Sequence, residues 1–550
     1  MKSLQAQRGQ ILQQMAQLET MEYGSLHAEY RPAAGGGTTG PYYKHQVWEQ
    51  GKNLSQRIPA AEAPALQTAL TNRQRCEALV QEYIALTVQQ TRRRTDDETS
   101  SKEKRQVVAT AVAAEAEAFL TLARQRLTTE GWTTSDWVET GLRAALLRDG
   151  RRLLEGLLND PTLPLPDDAS RPGEKATAAV PRTLETLFGP LTLRRNYYHA
   201  AAAGTGRYPL DAALKLEGPY TPALARWMSR AGAQTGFASG SEDLRVYAGL
   251  AIDGRQIHRL LQTIGPAIQR ACAAAPAEKL AAPLPVLYVE VDGTGAPMVP
   301  AALVGRKGKQ PDGTAKTREV KLGCVFTQHT TDAEGQPVRD AASTTYLCGL
   351  ETAGDFGTRL RREALRRGLG QSQRVVLLGD GAAWVWELGR VNFSSAIEIL
   401  DYYHAREHLT RLVEALVGPG PAAAELQDRW ESWLWEGQVP RLRQAARAQG
   451  TDGGAPLAAA VTTELGYFEK NQARMRYGEF RDQGLFIGSG VVEAGCKTVV
   501  GQRAKQSGMC WTEAGLLAVL HTRCALLGGQ FDTFWDHRND PAQAIRTLAA

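Results

Sequence analysis

Apolar residues along this chain change their spacing several times, and each change marks a structural boundary. Ile11, Leu12, Met15, Leu18 and Met21 recur at helical spacing, as do Leu66, Leu70, Leu79, Val80, Tyr83 and Ile84. Between these runs, GPYYKHQVWEQGKNLSQRIP predicts a β-hairpin turning at Gln50–Gly51. Residues 1–95 thus read as a small helical and hairpin module, followed by a polar linker, RRRTDDETSSKEKR. Helical spacing resumes over about 105–160 and stops at LPLPDDASRPGEK. The alternation in TLETLFGPLTLRRNYYH, on both sides of Gly189–Pro190, then predicts a second hairpin within a region spanning 105–215. In 216–275, SEDLRVYAGLAIDGRQIHRLLQTIG predicts two helices joined at Asp253–Gly254. This is the layout of a DNA-binding helix-turn-helix, and equally of an ordinary αα-hairpin.

From residue 284 the period shortens to that of strands. VLYVEVDGT (286–294), REVKLGCVFT (318–327) and TTYLCGL (344–350) are short β-type runs, followed by helical spacing over 351–368. RVVLLGDGA (374–382) is continuously apolar, as in a strand buried on both faces, and AIEILDYYH (396–404) runs from a strand into the helix AREHLTRLVEALV. Three strands, a helix, a strand, a helix and a strand make an α/β core with a mixed sheet, its first part spanning 284–410. Residues 411–480, with RWESWLWEG, are helical and lack alternation, which predicts a helical insertion. Residues 481–530 are then the C-terminal helices of the core, and 531–550 a tail.

Composition adds limits rather than direction. A chain of 550 residues is too long for one core, and its net charge of +5 permits an anionic partner without requiring one. The basic run RLRREALRRG, with Arg361, Arg362, Arg366 and Arg367, is the densest cluster and reads either as a DNA contact or as a solvated helix face. The seven cysteines form no CxxC pair, as expected of reduced thiols in a cytoplasmic protein. The N-terminal MKSLQAQRGQILQQM has no secretory core, no stretch is long and apolar enough for a membrane, and no GxxxxGK[ST] loop points to ATP.

Carboxylates supply the candidate chemistry. Asp292 in VEVDGT and Asp380 in LLGDGA each terminate a hydrophobic strand, and each is followed by glycine. Either alone is an ordinary turn; two on strands of one sheet suggest a site. Glu493 lies in GSGVVEAGCKTVVGQRAKQSGMCW, where Gly488–Ser489–Gly490 would cap a helix and place Glu493 in its first turn, favoured by the dipole. Lys497 follows one turn on, Arg503 and Lys505 continue a positive edge, and Trp511 offers a flat surface; Val492, Cys496 and Val499 would bury the opposite face. Two aspartates and a glutamate suit a pair of Mg²⁺ ions, with Mn²⁺ as a substitute, acting on a phosphodiester. The neighbouring cations and Trp511 then become DNA contacts.

In order, VDGT, LGDGAAWVW, ILDYYHAREHL and the long glycine-led segment resemble the DDE transposases of bacterial insertion sequences, and among them the Kra-type family, over about 105–527. The resemblance implies an RNase H-like catalytic core with a helical insertion, preceded by mainly helical DNA-binding domains. It makes Asp292, Asp380 and Glu493 the catalytic, metal-holding triad. Asp401 and His404, in DYYH, become accessory residues, with His404 orienting a carboxylate, contacting DNA or serving a structural role. The expected partners are double-stranded DNA, as terminal inverted repeats and target, and further copies of the chain in a dimer or larger assembly, in the nucleoid. Alanines and Thr205 in NYYHAAAAGTGRYPLD replace a cysteine pair such proteins often carry, which removes a zinc knuckle from the expectation. A nuclease or resolvase of the same fold and a domesticated DNA-binding repressor are the alternatives. A glycosidase using Trp384 and Trp386 as sugar platforms is a third reading, though it leaves the basic residues after Glu493 unexplained.

Overall fold

The N-terminal apolar stripes form helices Leu4–Ala16, Ala63–Arg93, Ser101–Thr129 and Ser135–Leu158. The computed structural model describes residues 4–32, 37–49, 52–93, 101–129, 135–160, 163, 165, 167–200, 204–308, 310, 312–450 and 457–539. It divides into two units, Met1–Leu224 with Arg245–Ala251, and Ala225–Leu244 with Ile252–Ala550. In the first unit, Ile11 and Met15 pack with Cys76, Leu79 and Tyr83, and Ala114 and Ala118 of the third helix close the same core. The boundary expected at 95–105 therefore does not separate two cores. Helix Ser101–Thr129 starts inside the polar stretch, and helix Ala63–Arg93 ends in it.

Strands Thr38–Glu49 and Lys52–Ile58 pair with Glu49 opposite Lys52, while the predicted Gln50–Gly51 turn lies outside the described residues. The second hairpin, Glu174–Thr186 with Gly189–Ala200, turns at Leu187–Phe188, just before the expected Gly189–Pro190.

The second unit holds the mixed sheet. Helix α1 (Gly254–Ala274) starts at a capping box of Asp253 and Gln256. Strands β1 (Leu284–Pro297), β2 (Thr317–Gln328) and β3 (Thr345–Gly349) lead to α2 (Ala353–Arg366). Strand β4 (Ser372–Gly379), α3 (Ala383–Asn392), β5 (Ile397–Leu400) and α4 (Tyr402–Val417) follow. The strand order is β3-β2-β1-β4-β5; β2 runs antiparallel to both neighbours, and β1, β4 and β5 are mutually parallel. The insertion comprises α5 (Pro421–Trp435), α6 (Val439–Gly450), α7 (Ala459–Asn471) and α8 (Tyr477–Asp482). Then α9 (Gly490–Gly495) passes through a π-helical turn, Cys496–Gly501, and α10 (Glu513–Leu527) and α11 (Phe531–Asn539) complete the unit.

Both faces of the sheet are covered. Gly323 on β2 lets Leu360 and Phe356 of α2 approach on one face, and Gly495 of α9 sits against Leu322 and Tyr346 on the other. Helix α1 packs Ile257, Leu260, Leu261, Ile264 and Ile268 inward and crosses α10 at Gly265, where a β-carbon would lie 2.2 Å from the Ala518 carbonyl oxygen. Arg255 and Arg259 remain on its exposed face. The expected tail is anchored, since Phe531 and Trp535 of α11 are buried; residues 540–550 lie outside the described ones. No helix among the described residues is long and apolar enough to cross a membrane.

His521 on α10 is buried, and burial with the nearby Arg359 charge drives its pKa down to about 3. The folded state thus refuses a proton that the unfolded chain accepts near 6.5. Its neutral ring contributes stability that is complete above pH 6.5 and lost as pH falls toward 3. At pH 5 that loss is about 2 kcal/mol relative to pH 7. His521→Gln is expected to flatten the acid side of the stability profile, measured by urea unfolding at pH 5 and 7.

Candidate active site

The sheet register builds the site. On β4, Gly379 lies opposite Val291 of β1 on one side and Leu400 of β5 on the other. The next residues on these three parallel strands are Asp292, Asp380 and Asp401. Three aspartates therefore stand in one rank at the sheet's carboxyl edge, on strands about 4.8 Å apart. The backbone N–H of Asp401 donates to the Gly379 carbonyl at 2.9 Å, holding the rank together. Asp292 does not end its strand as expected: β1 continues to Pro297, paired with β2, while the parallel pairing with β4 stops at Val291. Gly381, at φ +97°, does turn the chain after Asp380.

Helix α9 carries Glu493 to this rank. One turn on, the Cys496 thiol lies within hydrogen-bonding reach of Asp292, and the His404 imidazole sits 3.8 Å from the Glu493 carboxylate. Asp401, His404 and Glu493 each offer a ligand atom, all within 4.8 Å of one another. Among the described residues these three are the set whose ligand atoms converge; of the expected triad, Asp292 and Asp380 stand on adjacent strands and act on one another electrostatically, and Glu493 reaches the rank through His404.

The surroundings set each charge. Burial pushes the Asp292 carboxyl up, Asp380 adds to this, and Cys496, the Gly293 N–H and the His404 charge oppose it. Asp401 is fully buried, which would also raise it. Donation from the His404 ring at 3.2 Å, the Ser489 N–H at 2.5 Å, the His404 N–H at 2.7 Å and the Ser489 hydroxyl at 2.9 Å instead holds it below the usual carboxylate range. His404 is correspondingly raised to about 9, chiefly by its hydrogen bond to Asp401, so it is an imidazolium at neutral pH.

Two roles escape a sequence reading. Ser489 does not cap α9; its hydroxyl goes to Asp401. The cap role passes to Glu290, fully buried, whose Oε2 accepts the Val492 N–H at 2.8 Å and so ties β1 to the start of the helix bearing Glu493. Burial pushes Glu290 up to about 8. Its one sequence signal is an acid in an apolar strand, two residues before Asp292 and hence on the same face.

The expected DNA contacts divide. Lys497 and Lys505 are exposed, and Lys505 Nζ donates to the Thr294 hydroxyl at 2.5 Å, close to Asp292. Arg503 and Trp511 are corrections. Arg503 is fully buried, donates to the Gly232 carbonyl at 2.8 Å, and lies against the rings of Phe237 and Trp511; burial lowers its pKa to about 10. Trp511 is buried, with its indole N–H on the Ala504 carbonyl at 2.9 Å and its backbone bridged to β1. Of the expected positive edge, Arg503 alone is turned inward, on the same helical stripe as the buried Val492, Cys496 and Val499. Arg503→Ala is expected to cost about 3 kcal/mol in denaturant unfolding, from the lost packing and orphaned acceptor, without changing the DNA affinity of the folded fraction.

The basic run on α2 also turns inward in part. Arg366 and Arg367 pair with Glu278, and Arg361 donates to the Asn392 carbonyl. Trp386 is buried with Arg474 over its ring, so it offers no sugar platform.

Residues 129–417, just over half of the chain, match the uncharacterised protein family UPF0236. The chain belongs to this family. The UPF0236 match takes in Asp292, Asp380, Asp401 and His404 and ends before Glu493. No curated protein matches the chain.

Proposed function

We propose that the chain is a DNA transposase of the DDE type, a metal-dependent polynucleotidyl transferase that cuts at the ends of an insertion sequence and joins the freed 3′-hydroxyl to target DNA. The observation that carries this reading is the rank of Asp292, Asp380 and Asp401 on three parallel strands, with Glu493 laid over it by α9. The order β3-β2-β1-β4-β5, with β2 reversed, agrees with an RNase H-like core.

The donor set fits hard divalent cations. Asp292, Asp380 and Glu493 carry carboxylate oxygens, and Asp292 is pushed up by burial first and by the Asp380 charge after it, costs that a bound cation would offset. These three residues would hold two Mg²⁺, or Mn²⁺ in their place. When bound, such ions supply a water of lowered pKa and charge for the leaving oxygen. Asp401 holds the His404 ring, and the imidazolium faces the Glu493 carboxylate and keeps it turned toward the rank. Lys497 and Lys505 offer phosphate contacts beside the acids, and the exposed Arg255 and Arg259 of α1 offer contacts to a duplex backbone. Joining two ends calls for a dimer or larger assembly. No step of this chemistry consumes ATP.

The test uses the full chain, Mg²⁺, and duplex DNA spanning the inverted repeats that should bracket the gene. Cleavage at the repeat end and joined product from pre-cleaved ends are expected, both abolished by EDTA. Cleavage without joined product would make the protein a nuclease of the same architecture, and no Mg²⁺- or Mn²⁺-dependent cleavage would overturn the proposal.

A further inference from the structure

The insertion does more than interrupt the core. Its helix α7 lies along α4, the helix that begins directly after Asp401, with Val461, Leu465 and Phe468 buried. On the same interface the His408 ring stacks on Tyr467, with centroids 3.4 Å apart and planes at 15°. His408 Nδ1 is in turn 2.6 Å from Glu464 Oε2, one turn before Tyr467 on α7. This clamp holds the phenol against the backbone that follows Asp380: a β-carbon at Gly381 would lie 3.0 Å from the Tyr467 hydroxyl oxygen. The oxygen is shielded from solvent and makes no hydrogen bond. Leaving a buried hydroxyl unpaired is unfavourable, and such groups in native proteins call for an explanation. Asp380 and Asp401 are the acids that weigh most on it, yet neither accepts its proton.

We propose that Tyr467 is a further catalytic residue, whose hydroxyl donates a hydrogen bond to a non-bridging phosphate oxygen of the DNA strand lying over Asp380. The inference rests on the polynucleotidyl transferase reading and deepens it: the insertion supplies one wall of the site. A ring fixed by stacking keeps the donor oriented, and the contact requires the surroundings that shield the oxygen, at Gly381, to give way as the strand enters. The missing acceptor arrives with the strand.

Tyr467→Phe removes the oxygen and keeps the ring on His408. It is expected to lower single-turnover cleavage by about 10- to 100-fold, with the thermal midpoint equal to or above that of the parent and the Mg²⁺ concentration for half-maximal rate unchanged. Replacing a non-bridging oxygen at the scissile position by methyl should slow the parent strongly and Tyr467→Phe little further. Full activity in Tyr467→Phe, an unchanged penalty for the methylphosphonate, or a raised Mg²⁺ requirement as the sole effect would each overturn the proposal. Binding separates this inference from the reading beneath it. With Ca²⁺ in place of Mg²⁺, Tyr467→Phe should bind the unmodified duplex several-fold more weakly than the parent and the methylphosphonate duplex equally. A parent that binds but never cuts would sink the transferase reading, and this comparison would still decide whether Tyr467 touches the phosphate.

Discussion

Asp380→Asn and Asp292→Asn, made singly, are each expected to lower DNA cleavage and joining by about 10³-fold or more while leaving the fold intact. Both replacements keep the shape of the side chain and remove the charge that would hold a divalent ion. For Asp292 the two effects should run in opposite directions. Its carboxyl is pushed up by burial and by Asp380, so its ionised form costs the folded state free energy at neutral pH. Asn removes that cost, and the thermal midpoint of Asp292→Asn should equal or exceed that of the parent. Rising stability with vanishing activity is the signature of a charge retained for chemistry rather than for the fold. Single-turnover cleavage beside thermal melts measures both; retained cleavage in Asp380→Asn would remove Asp380 from the mechanism.

Much of the core was legible because its strands carry strong local signals. The runs at 286–294, 318–327, 344–350, 374–382 and 396–404 each overlap one of the five observed strands, in the expected chain order. The places of Asp380 and Asp401, directly after apolar strands, were legible as well, while the strand that carries Asp292 runs on to Pro297. What local pattern could not reveal was register. That Asp401 completes a rank with Asp292 and Asp380 follows only from the pairing of Gly379 with both neighbours. The burial of Arg503 was masked by its charge rather than by its spacing: it stands four, seven and eleven residues after Val499, Cys496 and Val492, on the stripe that is buried. Glu290 and Tyr467 were missed for a different reason. Each acts through a contact with a distant segment, Val492 in one case and Gly381 in the other, and no spacing within the sequence announces it.

Asp401→Ala should be the most damaging single change to stability near the site, costing about 3 kcal/mol or more, with cleavage reduced about 100-fold in the fraction that folds. The carboxylate is fully buried and accepts from two segments: the backbone and ring of His404, and the backbone and hydroxyl of Ser489. Removing it orphans these donors and loosens the chain leading into α9, on which Glu493 rides. The pH dependence follows from the two shifts. His404 is raised to about 9 from 6.5, so its contribution is complete below pH 6.5 and fades as pH rises through 9. Asp401 is held below its ordinary 3.8, so its contribution is complete above that value and is lost as pH falls further. The stability gap between parent and Asp401→Ala should therefore be widest between about pH 4 and 6.5 and narrow by pH 9.5. It should not close there, because the Ser489 hydrogen bonds do not titrate. Denaturant unfolding at pH 6 and 9.5 measures this. A gap independent of pH would mean that the imidazolium contributes nothing to holding the rank, and that Asp401 acts through Ser489 alone.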